Sequence, residues 1–256
     1  MKFFILIFLL VFVGCGGNSN GNNIMLNRND TFYWQLQGDL RDDIPAKIYD
    51  IDLFDNNASV INKLKEKGKI VICYMNAGAF EEWRSDAFLF SDDVLGNVLD
   101  GWEGERWLDI RSEEVREIMK KRMDLVKSKG CDGIEPDNID GYLNNTGFDL
   151  TYEDQLEYNK FLSNEAKKRG LLIALKNDLD QASDLVNYFD FLLVEEGIEY
   201  NETYKFKPFI DKNKPVFDVE YNEKFYNCND IKDFHLLLLP KELDGSFVKS
   251  CDYGEF

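Results

Sequence analysis

From Phe32 onward the chain alternates short apolar runs of strand length with longer amphipathic stretches, and few architectures accept that order. The runs are FYWQLQ from Phe32, KIYDIDL from Lys47, KIVICYMNAG from Lys69, GIEPDN from Gly133, LLIALKND from Leu171, FDFLLVEE from Phe189, PVFDVEY from Pro215 and HLLLLP from His235. Several are continuously apolar, the pattern of parallel strands covered on both faces. Between them, SVINKLKEKG stops at Gly68, SEEVREIMKKRMDLVKSKG opens on Ser112 and stops at Gly130, and TYEDQLEYNKFLSNEAKKRG runs from Thr151 to Gly170. Cap residues, early acids, the helical spacing of Val115, Ile118, Met119, Met123 and Val126, and terminal glycines predict helices there.

Repeated strand–helix–strand units imply right-handed crossovers, and eight of them predict an α/β fold with a single (β/α)8 TIM barrel. About 230 residues lie beyond residue 30, close to the roughly 250 usual for that fold. An open doubly wound sheet is the alternative, but no GxGxxG follows the first strand. No linker-like composition divides residues 31–256, which read as one domain. The segment from Asn76 to Asp109 is long for a βα connection, and its pieces EEWRSDA, GWEGE and RWLDI predict a structured loop walling a cleft.

The N-terminus MKFFILIFLLVFVGC has a charged start at Lys2, an apolar run from Phe3 to Val13, then Gly14 and Cys15. That run is short for a membrane anchor and reads as an export signal over residues 1–15. Gly14–Cys15 resembles the lipobox of bacterial lipoproteins, with Phe12 where Leu is more usual. The resemblance implies that Cys15 is acylated and holds the chain to a membrane at the cell surface or periplasmic face. Residues 16–30 then form a flexible tether. Ordinary cleavage nearby is the alternative. Cys73 and Cys131 read as buried small hydrophobes, while Cys228 and Cys251 could pair in an exported chain. The sole histidine, His235, starts a strand far from any catalytic end, which removes most support for Ser-His-Asp chemistry and His-based zinc. No metal site and no cofactor are expected.

The formal net charge of −18, from 48 acidic and 30 basic residues, excludes a nucleic-acid partner and leaves a cationic or neutral ligand. Solubility alone explains the same excess. More telling is where the acids fall. Side chains two apart in a strand share a face, so Glu135 and Asp137 point together at the end of the fourth run. Asp50 and Asp52 end the second run, Lys176, Asn177 and Asp178 the fifth, Glu195 and Glu196 the sixth, and Asp218 and Glu220 the seventh. In a barrel these ends converge on one mouth, where crowded carboxyls can divide into an acid and a nucleophile, as glycosidic cleavage needs. Any one of them alone reads better as a cap or surface group. Sugar rings stack on aromatics, and Trp34, Tyr74 and Tyr142 are the ligand-facing candidates, whereas Trp107 reads as core.

Together with WLDIR, DGIEPDNIDGY, TGFDLTYEDQLEYN and FDFLLVEEGIEYNE, these stretches resemble glycoside hydrolase family 114, the endo-α-1,4-polygalactosaminidases, from Phe32 to the C-terminus. The resemblance implies a (β/α)8 glycosidase cleaving α-1,4-linked galactosamine-rich polysaccharide, with Asp137 and Glu195 as the catalytic pair. Asp137 is assigned as nucleophile and Glu195 as acid/base. Trp34, Asp50, Asp52, Tyr74, Glu135, Tyr142, Lys176, Asn177, Asp178 and Glu220 are the expected substrate-binding residues. Val194, Glu195 and Glu196 stand where the family typically reads Asn-Glu-Gln. The expectation is a monomeric, lipid-anchored enzyme of amino-sugar polymers. A non-catalytic carbohydrate-binding lipoprotein and a polysaccharide deacetylase are the rivals.

Overall fold

The computed structural model describes residues 24–229 and 231–256. The export signal and Cys15 lie outside the described residues. The elements are β1 (Phe32–Gln35), β2 (Ile48–Asp52), α1 (Ala58–Glu66), β3 (Ile70–Asn76), β4 (Ala79–Glu81), β5 (Leu95–Val98), β6 (Glu105–Leu108), α2 (Glu113–Lys129), β7 (Gly133–Asp137) and α3 (Tyr152–Lys168). They continue with β8 (Leu172–Lys176), α4 (Ala182–Leu185), β9 (Phe191–Glu195), α5 (Lys207–Asp211), β10 (Val216–Glu220), β11 (His235–Leu238), β12 (Lys249–Ser250) and β13 (Gly254–Glu255). The three long helices begin and end where the sequence predicts. Asn57 caps α1, Ser112 caps α2, Thr151 and Asp154 form a capping box on α3, and Gly130 closes α2 in the left-handed region.

One ten-stranded sheet runs β1-β2-β3-β7-β8-β9-β10-β11-β12-β13. Its first eight strands are parallel and follow chain order, and every residue of β3 is buried, as its unbroken apolar run requires. The sheet curls, but the closed eightfold barrel is not formed. No ladder joins β11 to β1, because the antiparallel β12 occupies the outer edge of β11. The C-terminal segment fills the seam instead: the N–H groups of Leu36 and Gln37 donate to the Leu243 carbonyl, and the Tyr253 hydroxyl donates to the Phe32 carbonyl. Phe32 and Phe217 stack at 4.5 Å across the interior. Among the described residues, helices of nine or more residues cover three crossovers, and the short helices α4 and α5 lie on two others. No helix among the described residues is long and apolar enough to cross a membrane.

Two expectations about the termini and cysteines change. Cys73 and Cys131 are not free hydrophobes; they form a disulfide, because parallel pairing of β3 with β7 brings their backbones together. Cys228 and Cys251 form a second. The last residues read as tether are docked rather than loose, since Leu26 packs on the core and Arg28 pairs with Asp233.

His235 does start a strand. Its Nε2 meets the Arg28 carbonyl at 2.6 Å and its Nδ1 meets Asp252 at 2.7 Å. Both partners accept, an arrangement that favours the doubly protonated imidazolium. Burial alone would lower its pKa, but the bonds to Asp252 and Arg28 raise it above the ordinary value of 6.5. A raised folded-state value means stability that is complete below pH 6.5 and lost as pH rises through the folded pKa. Urea unfolding across that window is expected to show a loss of about 1–2 kcal/mol, absent in His235→Gln.

Candidate active site

The carboxyl ends of the early and middle parallel strands open into one cleft of about 720 Å³. Trp34, Asp52, Tyr74, Asp137, Lys176, Asn177 and Glu195 line it from the sheet, and Tyr221 joins them from beyond β10. The long segment after β3 folds into the small antiparallel sheet β4-β6-β5 and forms a wall, adding Glu81, Trp83, Arg84, Leu99, Trp102, Glu105 and Trp107. Trp107 therefore does two things: it packs with Ala79 and Leu99 in a small core of its own, and it faces the cleft.

Lys176 is the centre of the arrangement. Its ammonium, buried on β8, lies 2.9 Å from Glu135 Oε1, 3.0 Å from Asp137 Oδ1 and 3.1 Å from Glu195 Oε2, and 4.5 Å from the centroid of Trp34. Burial by itself would lower the lysine's pKa, but Asp137, Glu135 and Glu195 carry it well above its ordinary value, so it stays charged. Asp137 is held from several sides. Its Oδ1 accepts from Asn138 N at 2.9 Å and its Oδ2 from the Tyr74 hydroxyl at 3.3 Å. Its carbonyl accepts from the N–H groups of Ala77 and Gly78, each at 3.0 Å. Position 78 must be glycine for this clamp, because a Cβ there would lie 1.7 Å from the Asn138 carbonyl oxygen.

Glu195 receives hydrogen bonds from the Tyr221 hydroxyl on Oε1 and from Asn177 Nδ2 on Oε2 at 3.3 Å. Burial pushes its pKa up, but the Lys176 charge and the donors Tyr221, Lys176 and Asn177 outweigh that and hold it below the ordinary carboxylate range. These contacts favour the ionised form of Glu195. The residues that follow Asp137, Lys176 and Glu195 are Asn138 at φ 58°, Asn177 at φ 50° and Glu196 at φ 58°. Three neighbouring strands thus end in a left-handed residue beside a cleft side chain, which is where backbone strain commonly collects.

Five expected ligand residues lie outside the cleft lining. Glu135 and Asp50 share a face with Asp137 and Asp52, but sit a layer deeper and are fully buried. Burial raises both, Asp50 well above its ordinary value and Glu135 to about 7, each pushed further by neighbouring carboxylates. No N–H or O–H donor reaches either Asp50 oxygen or Glu135 Oε2 among the described residues. Asp178, at φ 39°, turns away to accept from Asn159 Nδ2 at 2.8 Å, and burial raises it to about 9. Tyr142 packs edge-on against Tyr152. Glu220 accepts from the N–H groups of Ile198 and Glu199, fastening the loop after β9. Asp52 does line the cleft, yet its oxygens are taken by Arg84, which also grips Glu81. Among the described residues, no group of three or more His, Cys, Asp or Glu could hold a metal ion.

The chain matches the glycoside-hydrolase family GH114 over residues 17–254. It is similar to Ega3 of Aspergillus fumigatus, solved in complex with galactosamine, with a TM-score of 0.83 and 36% identity, covering 92% of this chain and 100% of that one. The glycoside hydrolase domain of PelA from Pseudomonas aeruginosa shares the fold at a TM-score of 0.66 and 12% identity, covering 84% of this chain and 96% of that one. Amy13B of Eubacterium rectale does so at 0.54 and 10%, covering 79% of this chain and 61% of that one. No curated protein sequence matches. The family match spans nearly the whole length and the 36% identity extends over the same fold, so this chain is a glycosidase and belongs to glycoside-hydrolase family GH114.

Proposed function

We propose that the chain cleaves α-1,4-linked galactosamine-rich polysaccharide internally, without a cofactor, using Asp137 as nucleophile and Glu195 as acid/base. The observation that carries this reading is the shared ammonium: carboxylates from β7 and β9 both bind Lys176 at the floor of one cleft. Each of the two oxygens concerned lies about 3 Å from the Lys176 nitrogen, so both carboxylates face the same point of the cleft. Asp137 attacks the anomeric carbon while Glu195 gives a proton to the departing glycosidic oxygen. Glu195 then takes a proton from the water that frees the sugar from Asp137. Galactosamine bound to Ega3, a 36% identical relative, supports the substrate class, and the −18 net charge favours a cationic polymer. The sequence of residues 1–15 supports export with acylated Cys15, which would hold the enzyme to a membrane.

Purified enzyme incubated with partly deacetylated poly-galactosamine should release new reducing ends and shorten the chains from within. Neutral α- and β-glucans should remain intact. Galactosamine polymer of unchanged length after prolonged incubation rejects the proposal.

A further inference from the structure

The buried carboxylates lining the cleft are not equally satisfied. Asp52 and Glu81 share the Arg84 guanidinium. Glu105 is 6% exposed and has no basic partner among the described residues. Its Oε2 accepts from the neutral Asn76 amide at 3.2 Å. The strand that carries it is fixed. β6 lies between β4 and β5, and Arg106 on the opposite face is bonded to the Leu95 and Gly96 carbonyls. Period two therefore puts Glu105 and Trp107 side by side on the cleft face. A buried carboxylate without a counter-charge is costly unless a ligand brings one.

Resting on the substrate class proposed above, we propose that Glu105 is a specificity residue that binds the protonated amine of a galactosamine unit, with Trp107 beside it receiving the apolar side of the ring. A galactose hydroxyl or an N-acetyl group brings no positive charge to this place. The electrostatics agree: burial, then the charges of Glu81 and Asp137, raise Glu105 to about 8, against the lowering effect of Arg84 and Asn76. Near neutral pH this favours the protonated form of Glu105. An arriving ammonium returns it to the carboxylate and one proton leaves to solvent.

Monosaccharides are not cleaved, so galactosamine and galactose can be titrated into the wild type, Glu105→Gln and Glu105→Asp by calorimetry at pH 7 in buffers of different ionisation enthalpy. Wild type is expected to prefer galactosamine by roughly 10-fold or more, with proton release. Glu105→Gln should bind the two sugars equally without proton release, and Glu105→Asp should keep part of the preference. Unchanged melting temperatures establish that the variants fold. Equal affinities in the wild type, or a preference retained by Glu105→Gln, overturn the inference. If the wild type hydrolyses the polymer while either result holds, only the role of Glu105 falls. If it hydrolyses no galactosamine polymer, the proposed function falls first.

Discussion

Asp137→Asn and Glu195→Gln should each lower kcat on galactosamine-rich polymer by roughly 10²–10⁴-fold, with KM little changed. Both substitutions keep side-chain volume and remove a charge that Lys176 contacts, so the cleft keeps its shape while losing its chemistry. Glu195 adds a sharper test. Its pKa is depressed in the free enzyme, yet an acid must be protonated to give a proton. The kcat/KM profile should therefore fall as pH rises, with that limb on the acid side of the ordinary carboxylate range. Tyr221→Phe removes a donor to the ionised form and should move the limb towards neutral pH. Reducing-end assays from pH 3 to pH 8 decide it. Wild-type rates in either carboxylate variant remove the residue from the mechanism, and a limb unmoved by Tyr221→Phe removes the tyrosine's part in setting it.

How far these residues were legible depended on which physical rule each one obeys. Period two correctly paired Asp137 with Glu135 and Asp52 with Asp50, but it says nothing about depth. Side chains stack in layers inside a curled sheet, and the outer member of each pair meets the cleft while the inner member is sealed. Strand stagger decides that, and the sequence does not record it. Glu220 and Asp178 failed for another reason. Both serve neighbouring backbone or side chains that only the fold brings near. Arg84, Glu105 and Tyr221 were missed because Asp52, Asn76 and Glu195, which they meet, lie far from them along the chain. The three tryptophan-containing pieces around Glu105 and Arg84 had nevertheless marked their segment as a cleft wall. The Cys73–Cys131 bond was within reach: parallel strands taken in chain order make β3 and β7 neighbours. The open seam was not, because it depends on two-residue strands, Lys249–Ser250 and Gly254–Glu255, too short to carry a periodic signal.

Lys176→Met should do damage of two kinds at once. Methionine fits the stem of the lysine but leaves Glu135, Asp137 and Glu195 crowded together without the ammonium that all three contact. Breaking a buried ion pair from one side typically costs about 3–5 kcal/mol, and here the partner Glu135 is wholly buried. Turnover should also collapse, since Asp137 and Glu195 lose the ammonium that both contact at the cleft floor. The sign of the pH response separates an electrostatic role from simple packing. In the wild type, Glu195 has a depressed pKa, so its contribution to stability is present above the unfolded value near 4.5 and is lost as pH falls through the folded one. Without Lys176 the largest cause of that depression is gone, and protonating Glu195 becomes easier. The variant should then lose less stability than the wild type as pH falls below 4.5. Adding Glu135→Gln to Lys176→Met should recover part of the loss, whereas Glu135→Gln alone should destabilise the wild type, a coupling readable in a double-mutant cycle. Additive effects with parallel pH profiles would reduce Lys176 to a space-filling side chain. Coupling of the expected sign would identify the buried Asp50–Glu135–Lys176 layer as the support that holds two carboxylates at the cleft floor.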